Sequence, residues 1–469
     1  MNREINGDNP LQDAPYTPEE IGSGIGNTGN RPALRRVLGM PALIAFGLAY
    51  MVPLAVFDTY GIVTTVTEGH LPTAYALTLM TMFFTAYSYG RMVEAYPVAG
   101  SAYSYARKAF GGHIGFMVGW ALLLDYIFLP MLNFILIGIY MSQYFPAISP
   151  HLWVIGAILL VTSLNILGIK IVSGMNFLII AFQLIFLTVF LTLFLTSFGR
   201  YGTTSILAPF YSSDMKLGTI VAGSAILCLS FLGFDAVSTL SEEAREPRRT
   251  IPRAIMLCTL IGGLLFIIAS WTGHMIYPDW RSFPDPDSAS RDVMSKAGGA
   301  FLVSFFTAAY MSGTFASAMA AQASVSRILY AMGRDRVLPQ NVFGAVSRKF
   351  GTPVCAILVV ATTSLLALTI ELEQAASMIS FGALAGFSFV NLAVIKTGFL
   401  DGNRRQGWDA IRYGVLPGIG FLLTLWLWAN LSANTFDVGL IWLGTGFLYL
   451  LYLTRVFKRS VPQLRLHDL

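Results

Sequence analysis

Long apolar stretches alternate with short polar loops along almost the whole chain. A membrane-spanning helix needs about 20 mainly apolar residues, and about twelve stretches have that length. This pattern predicts an all-α polytopic membrane protein with about 12 transmembrane helices, and it leaves too little chain for a separate soluble domain. The stretches lie near residues 40–66, 71–93, 113–141, 151–169, 173–198, 216–240, 253–276, 300–333, 353–370, 374–397, 413–431 and 437–457.

Composition and charge agree with this pattern. Of the 469 residues, 55% are hydrophobic and only 12% are charged, whereas soluble domains carry about 25% charged residues. With the N-terminus placed inside, Lys and Arg concentrate on the cytoplasmic side, as the positive-inside rule requires for an even number of spans. We therefore expect a multi-pass protein of the cytoplasmic (inner) membrane with both termini cytoplasmic. The formal charge of +5 then reflects topology and attraction to membrane lipid rather than nucleic-acid binding.

The domain boundaries follow from the same pattern. Residues 1–32 are polar and rich in Gly and Pro, which predicts a disordered cytoplasmic tail. Residues 33–459 form the membrane domain, and residues 460–469 form a second cytoplasmic tail.

Several kinds of chemistry are disfavoured. The chain carries no zinc-protease, Walker or paired Cys/His motif, so neither an enzyme nor a cofactor or metal site is predicted. The cysteines fall inside apolar segments and are expected to be inert buried thiols. They are Cys228, Cys258 and Cys355.

Two predicted spans contain residues that interrupt a helix. Pro53 and Gly61 lie in the first span, and Gly233 lies in the sixth. Backbone at membrane depth unwinds only around a protein cavity, so helices 1 and 6 are predicted to be broken there. Each break carries a Phe-Asp pair, which suggests a five-plus-five inverted repeat with the two pairs facing each other. The repeats would span about 33–198 and 214–397, with two extra C-terminal helices within about 413–457.

Three acids lie within predicted spans: Asp58, Asp125 and Asp235. An ionised Asp at the centre of a span costs about 2.5–3.5 kcal/mol, so such residues face the protein interior and have a partner. No Lys or Arg lies at comparable depth in the first seven spans, which suggests that the cation comes from outside. The alternative is a structural role, in which an Asp caps a half-helix or bonds to Thr59 or Ser238.

Three linked motifs resemble the amino acid–polyamine–organocation (APC) transporter superfamily. They are "LSFLGFD" followed by "SEEAREPRRTIPRAI", "PVAGSAYSYARKAFGGHIGFMVGW", and "ASVSRILYAMGRDRVLP". Within the superfamily, "LAYMVPLAVFDTYGI" and "GFMVGWALLLDYIFLPM" look most like the bacterial putrescine importers. The resemblance implies the twelve-helix architecture with the five-plus-five inverted repeat.

The resemblance also implies a substrate class. Amino acid permeases of the superfamily have a Gly-rich stretch in helix 1 whose free N–H groups hold a carboxylate, whereas this chain has Pro53-Leu54-Ala55-Val56. Asp125 and Tyr126 align where relatives surround the distal, cationic end of a basic substrate. A diamine would be held by the three acids, with cation–π contacts from aromatic residues. Those aromatic residues are Tyr126, Phe57, Phe231 and Phe234, although for any single one of them a packing or lipid-facing role is the more common one.

The expected function is therefore import of a small polyamine such as putrescine, with proton symport implied by the family. Glu242, Glu243 and Tyr103 are candidates for proton coupling or for an inner gate, and Asp235 could also carry the proton. The alternatives are a cationic amino acid permease and a diamine/amino acid exchanger. A passive channel is disfavoured because channels arrange their carboxylates in rings, which the single Asp125 does not resemble.

Overall fold

The computed structural model describes residues 36–200, 205–286, 289–370, 372–431 and 433–455. The predicted tails, 1–32 and 460–469, lie outside these residues. Within these residues the chain is helical and forms no β-strand. Leu38 and Ala244 form an isolated parallel β-bridge.

Sixteen α-helices follow one another along the described chain, joined by short 3-10, π-helical and loop segments. The first eight are α1 (Met40–Met51), α2 (Tyr60–Val66), α3 (Leu71–Ala95), α4 (Ser101–Phe110), α5 (Gly112–Tyr144), α6 (Pro150–Leu167), α7 (Ile169–Thr196) and α8 (Leu217–Leu227). The second eight are α9 (Pro247–Ile276), α10 (Ala289–Arg334), α11 (Gln340–Phe343), α12 (Val354–Ser364), α13 (Leu372–Val394), α14 (Gly407–Ala410), α15 (Leu416–Ala429) and α16 (Ala433–Leu453).

The helices have the length and composition that a membrane requires. Ten helical segments among the described residues are long and apolar enough to cross a bilayer, and Val354–Leu368 is a shorter apolar helix. Helix α3, which is 25 residues long, has a more mixed composition. The multi-pass all-α architecture is thus confirmed, while the count of about twelve spans and the inverted repeat stay predictions.

Both predicted helix breaks are confirmed. The first span changes from α1 to a 3-10 turn at Ala55–Phe57 and then to α2, with Val52 at φ 54° at the break. The sixth changes from α8 to two 3-10 turns, Cys228–Phe231 and Asp235–Leu240, with Gly233 at φ 126° between them. A β-branched residue at positive φ is strained, and such strain is characteristic of functional sites.

The broken helices lie at the centre of the bundle. The spans that begin at Met40 and Gly112 are 78% buried over their most apolar stretch, whereas Thr435–Leu453 is 17% buried and faces outward. A side chain at Gly233 would lie 2.6 Å from the ring of Tyr50, so the two breaks meet where glycine permits close approach. The centre of the fold therefore brings together the segments that carry the acids.

Candidate functional site

A cavity lies at the centre of the bundle. Its walls are formed by the two broken helices together with α5 and α10. The break in the first span contributes Asp58 and Thr59, and the break in the sixth contributes Leu229, Ser230 and Leu232. The remaining walls are mainly apolar with a few hydroxyl and amide groups. They are formed by Tyr50, Met51, Val52, Ala55, Leu129, Leu132, Asn133, Leu136, Tyr310, Thr314 and Ser317.

Asp58 supplies the accessible charge of this cavity. Its side chain is exposed although its neighbours Phe57 and Tyr60 are buried, and the hydroxyl of Tyr310 lies close to its carboxylate. The lining contains no Lys or Arg among the residues that the structure describes. A carboxylate in a mostly apolar cavity without an internal cation can bind a cation that enters from outside.

Asp125 and Asp235 form a second acidic centre next to this cavity. Each is only 1% exposed, and the two carboxylates are close enough to interact electrostatically. Asp235 Oδ2 accepts a 2.5 Å hydrogen bond from the Tyr126 hydroxyl, and its Oδ1 accepts one of 3.3 Å from the N–H of Gly233. Asp125 Oδ1 has no hydrogen-bond partner in the part of the chain that the structure describes.

Tyr50 links the two acidic centres. It lines the cavity, its ring packs edge-on against the ring of Tyr126 at 6.3 Å, and it lies within the electrostatic field of both Asp125 and Asp235. Its hydroxyl is buried without a hydrogen-bond partner among the described residues. Two neighbouring carboxylates without an internal cation can hold a proton, a cation, or one of each.

The grouping of the acids differs from the expected one. The sequence suggested that Asp58 and Asp235 face each other while Asp125 lies at the distal end. In the structure Asp235 interacts with Asp125, whereas Asp58 interacts with Tyr310. The site therefore has one accessible carboxylate and one buried pair.

The phenylalanines predicted to form the walls lie elsewhere in the described structure. Phe57 packs edge-on against Phe190 and Phe306, at ring distances of 5.8 and 5.4 Å. The rings of Phe231 and Phe234 are also fully buried, the first against Tyr75 and Phe266 and the second against Tyr89 and Phe387. Since each ring is surrounded by other aromatic rings, its contribution here is to packing.

Several cavity residues were missed from the sequence. Tyr310, Thr314 and Ser317 recur at helical spacing on one face of α10, which was a usable signal because polar groups at that spacing share a face. Ser317 Oγ donates to the carbonyl of Tyr50 at 2.9 Å and accepts a 3.1 Å hydrogen bond from the amide of Asn133. These contacts connect α10 and α5 to the break in the first span.

Pro53 lies in that break, where several backbone donors are already bonded. Proline has no N–H, and the N–H groups of Ala55, Phe57 and Asp58 bond to the carbonyls of Val52, Leu54 and Ala55, at 2.8–3.1 Å. The break therefore has fewer free N–H groups with which to hold a carboxylate.

The residues predicted for the gate lie together at one end of the bundle. The N–H of Ala99 donates to Glu242 at 3.1 Å, and Arg334 of α10 forms an ion pair with Glu242 at 2.9 Å. Glu243 forms an ion pair with Arg327 in which both side chains are no more than 3% exposed.

A third contact lies beside these two. The hydroxyl of Tyr103 in α4 donates to Asp335 Oδ2 at 3.0 Å, and Arg107 forms an ion pair with the same carboxylate. Asp335 follows the end of α10, where burial raises the pKa of its carboxyl group while Arg107 opposes that effect. Three elements are therefore joined at this end: α4, the segment after the second break, and the end of α10.

The fold and the central cavity define a class of protein: an α-helical multi-pass membrane protein with two broken helices around an internal cavity that contains a carboxylate. The sequence model of the amino acid permease family matches residues 43–400, which is well over half of the chain. The chain therefore belongs to the amino acid permease family.

Individual relatives refine this placement. The chain is 41% identical over 441 residues to the low-affinity putrescine importer PlaP of Escherichia coli, which covers 92% of this chain and 97% of that protein. It is 25% identical to the branched-chain amino acid permease BcaP of Bacillus subtilis, over 91% of this chain and 95% of that protein. It is 28% identical to the vacuolar cationic amino acid transporter 2 of Arabidopsis thaliana, over 77% of this chain and 60% of that protein.

Proposed function

We propose that the protein imports putrescine, or a diamine of similar length, across the inner membrane. The observation that carries the proposal is an accessible carboxylate, Asp58, in a cavity whose described lining holds no Lys or Arg, with a buried acidic pair, Asp125 and Asp235, beside that cavity. The full-length similarity to a putrescine importer supports it.

The two acidic centres suit the two ammonium groups of a diamine. In this proposal one ammonium binds at Asp58 and Tyr310, and the other binds at one carboxylate of the Asp125–Asp235 pair while the second carboxylate holds a proton. The methylene chain lies along the apolar wall that includes Leu129 and Leu132. An unpaired buried charge is expensive, so each ammonium needs such a partner once the cavity closes.

The break in the first span disfavours an amino acid substrate. A carboxylate would need free backbone N–H groups, whereas Pro53 has none and three neighbouring donors, those of Ala55, Phe57 and Asp58, are bonded within the turn. A cationic amino acid permease is still the second candidate, because a cationic amino acid transporter is among the relatives.

Proton symport is part of the proposal, with the proton held at the buried pair. Glu242 and Glu243 are weaker candidates for this role because each forms an ion pair with an arginine. The Asp125–Asp235 pair has no such partner among the described residues, so its two carboxylates can carry a proton and a substrate ammonium together. The inside-negative potential adds about 2.3 kcal/mol per charge per 100 mV to uptake of a cation.

The three contacts formed by Glu242, Glu243 and Tyr103 are proposed to close the cytoplasmic end. All three join α4 or the segment after the second break to the end of α10. When these elements separate, the contacts break and the cavity opens inward.

Uptake of labelled putrescine into proteoliposomes tests this function. We expect accumulation that increases with an inward proton gradient, strong competition by cadaverine and weak competition by lysine or ornithine. Asp235→Asn and Asp125→Asn should abolish gradient-driven uptake, whereas Asp437→Asn, an exposed carboxylate on α16, should leave it unchanged. If lysine is taken up while putrescine neither enters nor competes, the protein is instead an amino acid permease with an unusual first span.

A further inference from the structure

A groove of about 400 Å³ lies on the outside of the bundle, away from the central cavity. It is formed by the first residue of α1, Met40, the end of α3 and the start of α9. Gly90 of α3 lies against Pro252 of α9, and a side chain at Gly90 would lie 3.4 Å from the proline ring. Helices α3 and α9 therefore cross closely at this point of the groove.

Two arginines lie at one end of this groove. Arg91 is held in place by three neighbours: its Nε donates to the Tyr87 hydroxyl at 3.0 Å, one terminal nitrogen donates to Glu94 at 2.7 Å, and its guanidinium lies 5.7 Å from the centre of the Tyr413 ring. A guanidinium has five N–H donors, so donors remain for a ligand.

Arg253 is the second cation. Its side chain is exposed and makes no hydrogen bond or ion pair to the residues that the structure describes. Arg91 and Arg253 together outnumber Glu94, so this end of the groove has a net positive charge. An anionic group is therefore the complementary ligand.

Exposed apolar residues continue from both arginines toward the middle of the membrane. Below Arg253 on α9 lie Leu257 and then Leu260 and Leu264, which are 38% and 46% exposed. Eleven residues of helix span about 16 Å, which is about half of the roughly 30 Å hydrocarbon core. Phe83 and Met80, 37% and 47% exposed, occupy the corresponding face of α3.

We propose that this groove binds an anionic phospholipid. The phosphate lies between Arg91 and Arg253, and the acyl chains lie along the apolar faces of α3 and α9. A cationic end joined to an apolar track of acyl-chain length matches a lipid rather than a soluble anion, and basic pockets between transmembrane helices bind such head groups. Because Met40 begins the first broken helix, the bound lipid also contacts a helix that lines the transport cavity.

Native mass spectrometry of the purified full-length protein in detergent tests the proposal. Phosphatidylglycerol is titrated against phosphatidylcholine of the same acyl chains, with inorganic phosphate as a third ligand. We expect phosphatidylglycerol to bind more tightly than phosphatidylcholine, and inorganic phosphate not to compete. Arg91→Gln with Arg253→Gln should weaken phosphatidylglycerol binding by about 25-fold, since each arginine contributes about fivefold.

The matched control removes the same charge from the same end of α9. Arg248→Gln with Arg249→Gln changes two exposed arginines outside the groove, and this variant should bind phosphatidylglycerol like the wild type. Arg253→Gln alone, which breaks no contact among the described residues, serves if the double variant does not fold, with an expected fivefold loss. Equal phosphatidylglycerol affinity in the groove variants and the wild type, or equal affinity for the two lipids, would overturn the proposal.

Discussion

Removing Arg327 should open the end of the protein that Glu243 helps to close. In Arg327→Met the carboxylate of Glu243, 2% exposed, loses its ion-pair partner while it stays buried. Breaking a buried pair by removing one partner costs about 3–5 kcal/mol. Because the pair joins α10 to the segment after the second break, that loss falls on the closed state. At 1.4 kcal/mol per tenfold change, the open state should gain about two to three and a half orders of magnitude in population.

The opening can be measured through Ser238, a fully buried residue between Asp235 and Glu242. Ser238→Cys is introduced together with Cys355→Ser, which removes the exposed native thiol. The assay is the rate of labelling by an impermeant maleimide added to inside-out vesicles. We expect Arg327→Met to raise that rate by about 100-fold or more, following the population shift above.

Two variants make the comparison specific. Lys216→Gln disrupts an ion pair with Glu68 in which the side chains are 67% and 33% exposed, and exposed pairs contribute only about 0–1 kcal/mol. Arg327→Met combined with Glu243→Leu removes both charges, so no buried charge is left unpaired and labelling should fall back toward the wild-type rate. If Arg327→Met labels no faster than Lys216→Gln, the pair does not hold the closed state.

Three further predictions concern the centre of the bundle. Gly233→Ala should reduce both thermal stability and uptake. The new methyl group would lie 2.6 Å from the Tyr50 ring, and the φ of 126° at this position disfavours any residue other than glycine. A thermal-shift assay and an uptake assay measure the two effects. Tyr310→Phe should raise the KM for putrescine by about tenfold at similar protein yield, because the removed hydroxyl lies beside the Asp58 carboxylate and a hydrogen bond to a charged group contributes about 1.5–3 kcal/mol. An unchanged KM would show that this hydroxyl does not act in the site. Phe231→Leu should lower the melting temperature and leave the KM unchanged, because the ring packs against Tyr75 and Phe266 rather than in the cavity. A large change in KM at an unchanged melting temperature would show that Phe231 contacts the substrate.

The sequence was sufficient to predict the architecture because the bilayer constrains it so strongly. Apolar stretches of membrane-spanning length indicated the helices, and Pro53 and Gly233 indicated where two of them unwind. The positive φ of Val52 could not be predicted, since a β-branched residue disfavours that conformation.

The partners of the acids were much less predictable than their positions. Tyr126 and Asp235 are 109 residues apart, and Arg327 and Glu243 are 84 residues apart, so these contacts depend on how the helices pack. Arg327 lies inside the predicted eighth span, and a buried arginine there was itself a signal for a carboxylate partner. Single aromatic residues carried no comparable signal, because apolar side chains are common on every face of these helices.

Equilibrium binding of putrescine and butylamine to the wild type and to Asp58→Asn tests the central claim most directly, with Asp437→Asn as the control. Butylamine has the same carbon chain and one ammonium group fewer. If Asp58 binds one ammonium and the Asp125–Asp235 pair binds the other, the wild type and the control should favour putrescine strongly, while Asp58→Asn should bind the two amines with nearly equal affinity. An unchanged preference for putrescine in Asp58→Asn would show that Asp58 does not bind the second ammonium and would contradict the account of this site.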